Sequence, residues 1–267
     1  MFDFLKRRRR ARIAEQPFPA EWEEVLRKNV PAFAALSGDE REELRDLVQV
    51  FVAEKSFEGC GGVEVTDEMR VTIAAQACLL ILHVDDDVYP RLRSILIYPK
   101  GYRAPVEARD GDIVHEGHSD RLGESWADGA VVLSWDGVRA GQANPSDGRN
   151  LVIHEFAHQL DQEDGAADGT PVMGWGAHLP WARVLSTDFL ELRNDAERGR
   201  RTVLDTYGAE NEAEFFAVAA EAFFEKPAAL LRTHPELYGE LKRYFGQDPV
   251  ARLRAGADGE GEGAAGE

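Results

Sequence analysis

Cysteine is scarce in this chain of 267 residues: there are two, Cys60 and Cys78, and they form no Cys-x-x-Cys pair. That argues against a disulfide framework and suits a reducing cytoplasm. Long apolar runs are missing as well. The longest, Val71 to Leu82, is interrupted by Thr72 and Gln76 and is too short to span a bilayer. No apolar run follows the basic residues at the start, so neither a secretory leader nor a transmembrane segment is expected. Positive charge is in deficit, with 31 Lys and Arg against 49 Asp and Glu, a net charge of −18. A chain so acidic is a poor general ligand for phosphate backbones, and no direct nucleic-acid binding is expected. No internal repeat is visible. What remains is a soluble cytoplasmic protein with 43% apolar residues, enough for one sizeable core.

The basic residues present are unevenly placed. Residues 1–12 carry Lys6, Arg7 to Arg10 and Arg12 against Asp3, a local charge of +5. This segment reads as a flexible basic arm, residues 1–16, ahead of a body spanning 17–254. The Gly- and Glu-rich stretch 255–267 reads as a disordered acidic tail. Within the body, helices are expected over Ala20–Lys28, Asp39–Phe51 (capped at Ser37 or Asp39), from Thr66 or Asp67 to about Leu82, and over Trp181–Leu192. Two more are expected over Asp205–Phe224 and Glu236–Phe245. Short β runs are expected at Ser94–Tyr98, Asp112–Glu116 and Ala130–Trp135, and Phe57–Gly62 reads as a turn-rich connection.

The stretch Asn150 to Asp161 carries the chemistry. It contains His154-Glu155-Phe156-Ala157-His158, a His-Glu-x-x-His pattern, among Val152, Ile153, Leu160 and other apolar residues at helical spacing. On a helix His154 and His158 lie one turn apart on one face, so both imidazoles can hold one metal ion. Glu155 beside them can act as a general base. A catalytic zinc takes a third protein ligand. Asp161 is one candidate, but a straight helix does not easily converge three side chains on one ion. It is read instead as supporting an imidazole or the helix end. His178, His115 and His118 are further alternatives. Glu214 is the better candidate, because an acid among Phe215, Phe216 and Val218 needs a partner to offset its burial. Tyr207, seven residues earlier, can lie on the same side, and Glu221, seven later, can sit behind the site.

His154 to Asp161, together with Tyr207 and Glu214-Phe-Phe-Ala-Val-x-x-Glu221-x-Phe-Phe, resembles the Mlc titration factor A family of bacterial zinc-dependent peptidases. The resemblance extends to Ile73–Leu80, Val131–Trp135 and the Phe-rich basic start, and covers nearly the whole chain except the acidic tail. The family's catalytic core is similar to that of the anthrax lethal factor protease. The resemblance implies one Zn2+ per chain on His154, His158 and Glu214, with Glu155 as base and Tyr207 as transition-state donor. It also implies a gluzincin-like metallopeptidase acting on a peptide or protein substrate, including aminopeptidase action with a regulatory role. An alternative carried by the same resemblance is a binding protein that sequesters a transcriptional repressor of glucose-uptake genes. The fold expected is a single α+β domain, helix-dominated, with a small sheet packed over the metal helix. The strand Ala130–Trp135 is expected to offer an edge to an extended peptide.

Overall fold

The computed structural model describes residues 2–84, 87–110, 113–121, 123–126 and 129–262, with side chains described for 4–84, 87–101 and 129–255. The first half contributes α1 (Phe2–Ala14), α2 (Ala20–Asn29), the single turn α3 (Ala32–Ala35), α4 (Gly38–Glu54), β1 (Ser56–Gly59) and α5 (Asp67–Leu80). Strands β2 (Ser94–Tyr98), β3 (Tyr102–Asp110), β4 (Ile113–Arg121), β5 (Gly123–Trp126) and β6 (Ala130–Ser134) follow, then α6 (Trp135–Ala143) and α7 (Leu151–Asp161). The chain finishes with α8 (His178–Glu197), α9 (Glu212–Glu225), α10 (Pro227–Thr233), α11 (Pro235–Phe245) and α12 (Pro249–Glu262). This is the helix-dominated α+β architecture that the sequence leads one to expect.

The helix starts are set by short side chains that bond to backbone N–H groups otherwise left without partners. Ser37 and Glu40 form a reciprocal capping box at α4, and the Thr66 hydroxyl accepts from Met69 N at α5. Helix α5 has no polar face. Every residue from Val71 to Leu80 is buried, with α2 and α4 packed on it and α7 also against it. It forms the centre of the core. Phe51, Tyr89 and Phe156 meet edge-on or tilted, with Tyr89 and Phe156 centroids 4.9 Å apart, which ties α4 and α7 into one aromatic cluster.

The sheet runs β1-β2-β6-β5, with β1, β2 and β6 parallel and β5 antiparallel to β6. Two expectations are corrected here. Phe57–Gly59 is not a turn but part of edge strand β1, paired in register from Ser56↔Ser94 to Gly59↔Ile97. Strand β6 is no edge, because β2 and β5 flank it and use its backbone groups on both sides. Among the described residues the edges are β1 and β5. The segment Asp112–Glu116 falls largely in β4, which pairs with β3 as a separate antiparallel ribbon. Asp112 itself lies outside the described residues.

Both ends of the chain also differ from expectation. Residues 2–14 form α1, which packs on α4. The Arg10 guanidinium bonds both Glu54 oxygens at 3.1 Å and 2.6 Å and also pairs with Asp87, while Lys6 pairs with Asp87 as well. Charges that look solvated in the sequence are therefore matched by acids far along the chain. The stretch expected to lack structure from residue 255 continues as helix α12 through Glu262. Arg252 of that helix reaches back to Glu40 in the capping box of α4, 3.1 Å from its Nε. Among the described residues no helix is long and apolar enough to cross a membrane.

Candidate metal centre

Helix α7 begins where the Asn150 side chain accepts from both Val152 N and Ile153 N at 3.1 Å. Val152, Ile153, Phe156, Ala157 and Leu160 then face the core, which turns His154 and His158 to the opposite side. Helix α9 begins in the same way, the Asn211 side chain accepting from Glu214 N at 3.0 Å. Phe215 to Phe223 are buried against neighbouring elements. Glu214 therefore stands in the first turn of α9, directed at α7.

The two helices pack side by side and bring three donors together. Glu214 Oε2 lies 3.0 Å from His154 Nε2 and 3.4 Å from His158 Nε2, and one ligand atom from each residue falls within 4.8 Å of the others. Ligands about 2.0–2.1 Å from one ion at tetrahedral angles stand roughly 3.3 Å apart. Two imidazoles and a carboxylate at these separations fit a zinc-type site. Charge agrees with geometry. Burial opposes ionisation of Glu214, yet the two imidazoles hold its carboxyl well below the usual range. His154 is buried too, and hydrogen bonds from Glu214 and Glu221 push its pKa well above the ordinary value.

The base candidate is placed differently. Glu155 is 5% exposed, and desolvation lifts its carboxyl to about 7 despite the neighbouring imidazoles. A carboxyl near neutrality can both take and return a proton. Tyr207 does not lie on the helix of Glu214 as the sequence reading had it. The chain from Asp205 is split into a 3₁₀ turn, Thr206–Ala209, and α9, with Asn211 between them. The Tyr207 ring nevertheless comes within 5.9 Å of the His154 ring, and half of the residue remains exposed. Burial and the charges of Glu214, Glu210 and Glu155 raise its phenol above the ordinary value, so it stays a proton donor.

Glu221 sits behind the site. One oxygen lies 3.4 Å from His154 Nδ1 and the other accepts from Asn150 N at 2.7 Å, so one carboxylate orients the His154 imidazole and fixes the start of its helix. Asp161 is fully buried, lifted to about 6 by desolvation, and accepts from Gly169 N at 3.0 Å. It anchors the loop after the metal helix and is not among the converging donors. His178 starts α8, outside that donor set. The side chains of His115 and His118 lie outside the described residues.

Glu225, Arg149 and Asp205 escape a reading of the sequence. Glu225 accepts from Arg149 N at 3.0 Å and from the Asn150 side chain at 3.1 Å. Burial lifts its carboxyl to about 7. These partners are 76 and 75 residues away, and no local spacing announces them.

The profile of the Glucose-regulated metallo-peptidase M90 family matches residues 4–246. The chain belongs to this family. A protein of Synechocystis described as uncharacterized is 38% identical over 245 residues, covering 91% of this chain and 89% of its own length. Proteins named Mlc titration factor A from Yersinia pestis and Yersinia pseudotuberculosis are 31% identical over 239 residues, covering 88% of this chain and 87% of theirs. The matched span holds both helices of the candidate centre and the Tyr207 turn. Membership in a metallopeptidase family implies a metal ion, and the His154, His158 and Glu214 cluster offers it ligands.

Proposed function

We propose that this chain is a zinc-dependent peptidase whose catalytic body spans residues 17–254. The observation that carries the reading is the convergence of His154, His158 and Glu214, with a buried carboxyl near neutrality, Glu155, beside them. His154, His158 and Glu214 would hold the zinc. When bound there, the ion supplies Lewis acidity, polarising a carbonyl and acidifying water.

The residues of the chain do the rest. Glu155 accepts a proton from the attacking water at its carboxylate and hands it to the leaving amine nitrogen, a role worth roughly 10²–10⁴-fold in rate. The Tyr207 hydroxyl donates to the scissile carbonyl oxygen as charge develops there, a contribution of about 2.7–4 kcal/mol where comparable donors have been removed. Glu221 keeps the His154 imidazole turned toward the centre. Edge strand β5 packs against α7, and its outer side, which pairs with no strand among the described residues, supports pairing with an extended peptide laid across the site. Aminopeptidase action in the cytoplasm is the finer form of this reading. It is distinguished by comparing aminoacyl anilides with peptides blocked at the N-terminus.

A second role has its own support. The Yersinia relatives carry the name titration factor for Mlc, and by likeness this chain is proposed to bind a transcriptional repressor as well. A buried base beside the ligands has no use in pure binding, so the two roles divide at Glu155. The test is a metal-dependent cleavage screen with a peptide library on wild type and Glu155→Gln. Equal turnover in the two would leave repressor binding as the better account.

A further inference from the structure

The Tyr207 ring meets His154 and its hydroxyl faces Glu214, so the placement of the turn that carries it sets the geometry at the centre. Tyr207 rides on a four-residue 3₁₀ turn, stays half exposed, and is separated from α9 by Glu210 and Asn211. For a donor whose hydroxyl must meet charge present only in the transition state, small displacements are costly. Something must fix the turn relative to α7.

We infer that Arg149 and Asp205 are positioning residues that lock the Tyr207 turn to the start of the metal helix; this deepens the peptidase reading and rests on it. Asp205 uses both carboxylate oxygens. Oδ1 accepts from Tyr207 N at 3.0 Å and so caps the turn that carries the tyrosine. Oδ2 takes the Arg149 guanidinium, 2.7 Å from Nε and 2.6 Å from the terminal nitrogen. Arg149 is itself held where it matters. Its backbone N–H is shared between Asp147 Oδ1 at 2.9 Å and Glu225 Oε2 at 3.0 Å, and the next residue, Asn150, caps α7. The path from the ligand and base on α7 to Tyr207 is therefore short: Asn150, Arg149, Asp205, Tyr207.

Apart from the Tyr207–His154 ring contact at 5.9 Å, the remaining supports of the turn face α9 and α8. Gly208 is wedged where an added Cβ would sit 3.2 Å from Val218 and 3.3 Å from Leu192, and Lys226 donates to Val203 O at 3.3 Å. These press the turn onto α9 and α8. The Arg149–Asp205 pair ties the turn directly, side chain to side chain, to the start of α7. The Arg149 side chain is 73% exposed. An ion pair so open to water adds little to global stability. A pair with little stabilising value, placed between the base and the oxyanion donor, points to geometry as its role.

The experiment uses the full chain loaded with zinc and one quenched-fluorescence peptide chosen from a cleavage screen. Arg149→Met is expected to lower kcat by roughly two- to fivefold, the range an exposed ion pair can supply, with KM within about twofold. Zinc content stays at the wild-type level. Asp205→Asn, which keeps an oxygen for the turn but loses the charge, follows the same pattern, and Arg149→Lys recovers part of the loss. In a Tyr207→Phe background Arg149→Met has no further effect. A second readout is independent of turnover: with 3-fluorotyrosine incorporated, the ¹⁹F signal missing in Tyr207→Phe should shift in Arg149→Met, with and without zinc, while the other tyrosine signals stay. An unmoved Tyr207 signal overturns the proposal, and so does a full loss of kcat that persists in the Tyr207→Phe background. If Tyr207→Phe alone keeps wild-type kcat, the role of Tyr207 in hydrolysis fails instead, and the ¹⁹F signal still decides whether Arg149 holds the ring.

Discussion

Replacing Glu221 with alanine separates what holds the metal helix from what holds the metal. The Glu221 carboxylate is buried and serves two groups, Asn150 N at 2.7 Å and His154 Nδ1 at 3.4 Å. Removing it leaves the buried Asn150 N–H without its acceptor, at a cost of about 1–3 kcal/mol. That loss appears in the metal-free protein as a lower urea midpoint. It also frees the His154 ring, and losing the partner of a ligating imidazole typically costs 10–100-fold in metal affinity. This corresponds to about 1.4–2.7 kcal/mol. Glu221→Gln is no rescue: an amide can present its oxygen to one of the two N–H groups, and its NH₂ then opposes the other. Zinc affinity measured by competition with a chromogenic chelator, alongside unfolding of the apo protein, reads both effects. A folded Glu221→Ala protein whose zinc affinity stays within about twofold of wild type would refute the reasoning.

Other expectations follow from the same structure. Gly169 has φ +77°, and an added Cβ would sit 2.4 Å from Glu212 O, so Gly169→Ala should push on the turn that presents Glu214 and lower zinc retention on dialysis. Phe216 is fully buried, its ring 5.6 Å from Trp181 and 6.1 Å from Tyr244; Phe216→Ala should cost about 3–5 kcal/mol in denaturant unfolding. His234 Nδ1 lies 2.6 Å from Asp188, which with Glu191 and Asp195 raises the imidazole above its ordinary value. The folded form favours the proton, so this contribution is complete below about pH 6.5 and fades as pH rises through the higher folded value. The stability gap between wild type and His234→Asn should therefore be larger at about pH 5.5 than at about pH 8.5.

Local signals were the legible ones. The caps at Ser37 and Thr66 depend on bonds spanning three residues, and the sequence narrows each to two neighbours, Ser37 or Asp39 and Thr66 or Asp67. The helix that carries His154 and His158 was legible from its apolar spacing, and the approach of Glu214 to them from the need of an acid among phenylalanines for a partner. The same kind of signal existed at Asn211, three residues before Glu214, and its neglect joined the Tyr207 turn to α9. Non-local features were closed to that reading. Strand β6 became central through pairing with β2, whose register partners are 36 residues away. Arg10 is matched by Glu54 and Asp87, 44 and 77 residues distant, which turned an apparent loose arm into a docked helix. The Arg149–Asp205 pair spans 56 residues. No periodicity encodes such a pairing, since each partner alone looks like an ordinary surface charge.

The central claim is that the residues gathered at α7 and α9 form a working hydrolytic centre and not a bare metal site. The most direct measurement is parallel zinc analysis and peptide hydrolysis on wild type and Glu155→Gln. The account predicts close to one zinc per chain in both proteins, with turnover in the variant reduced by roughly 10²–10⁴-fold. Wild-type turnover in a zinc-loaded Glu155→Gln protein would contradict it.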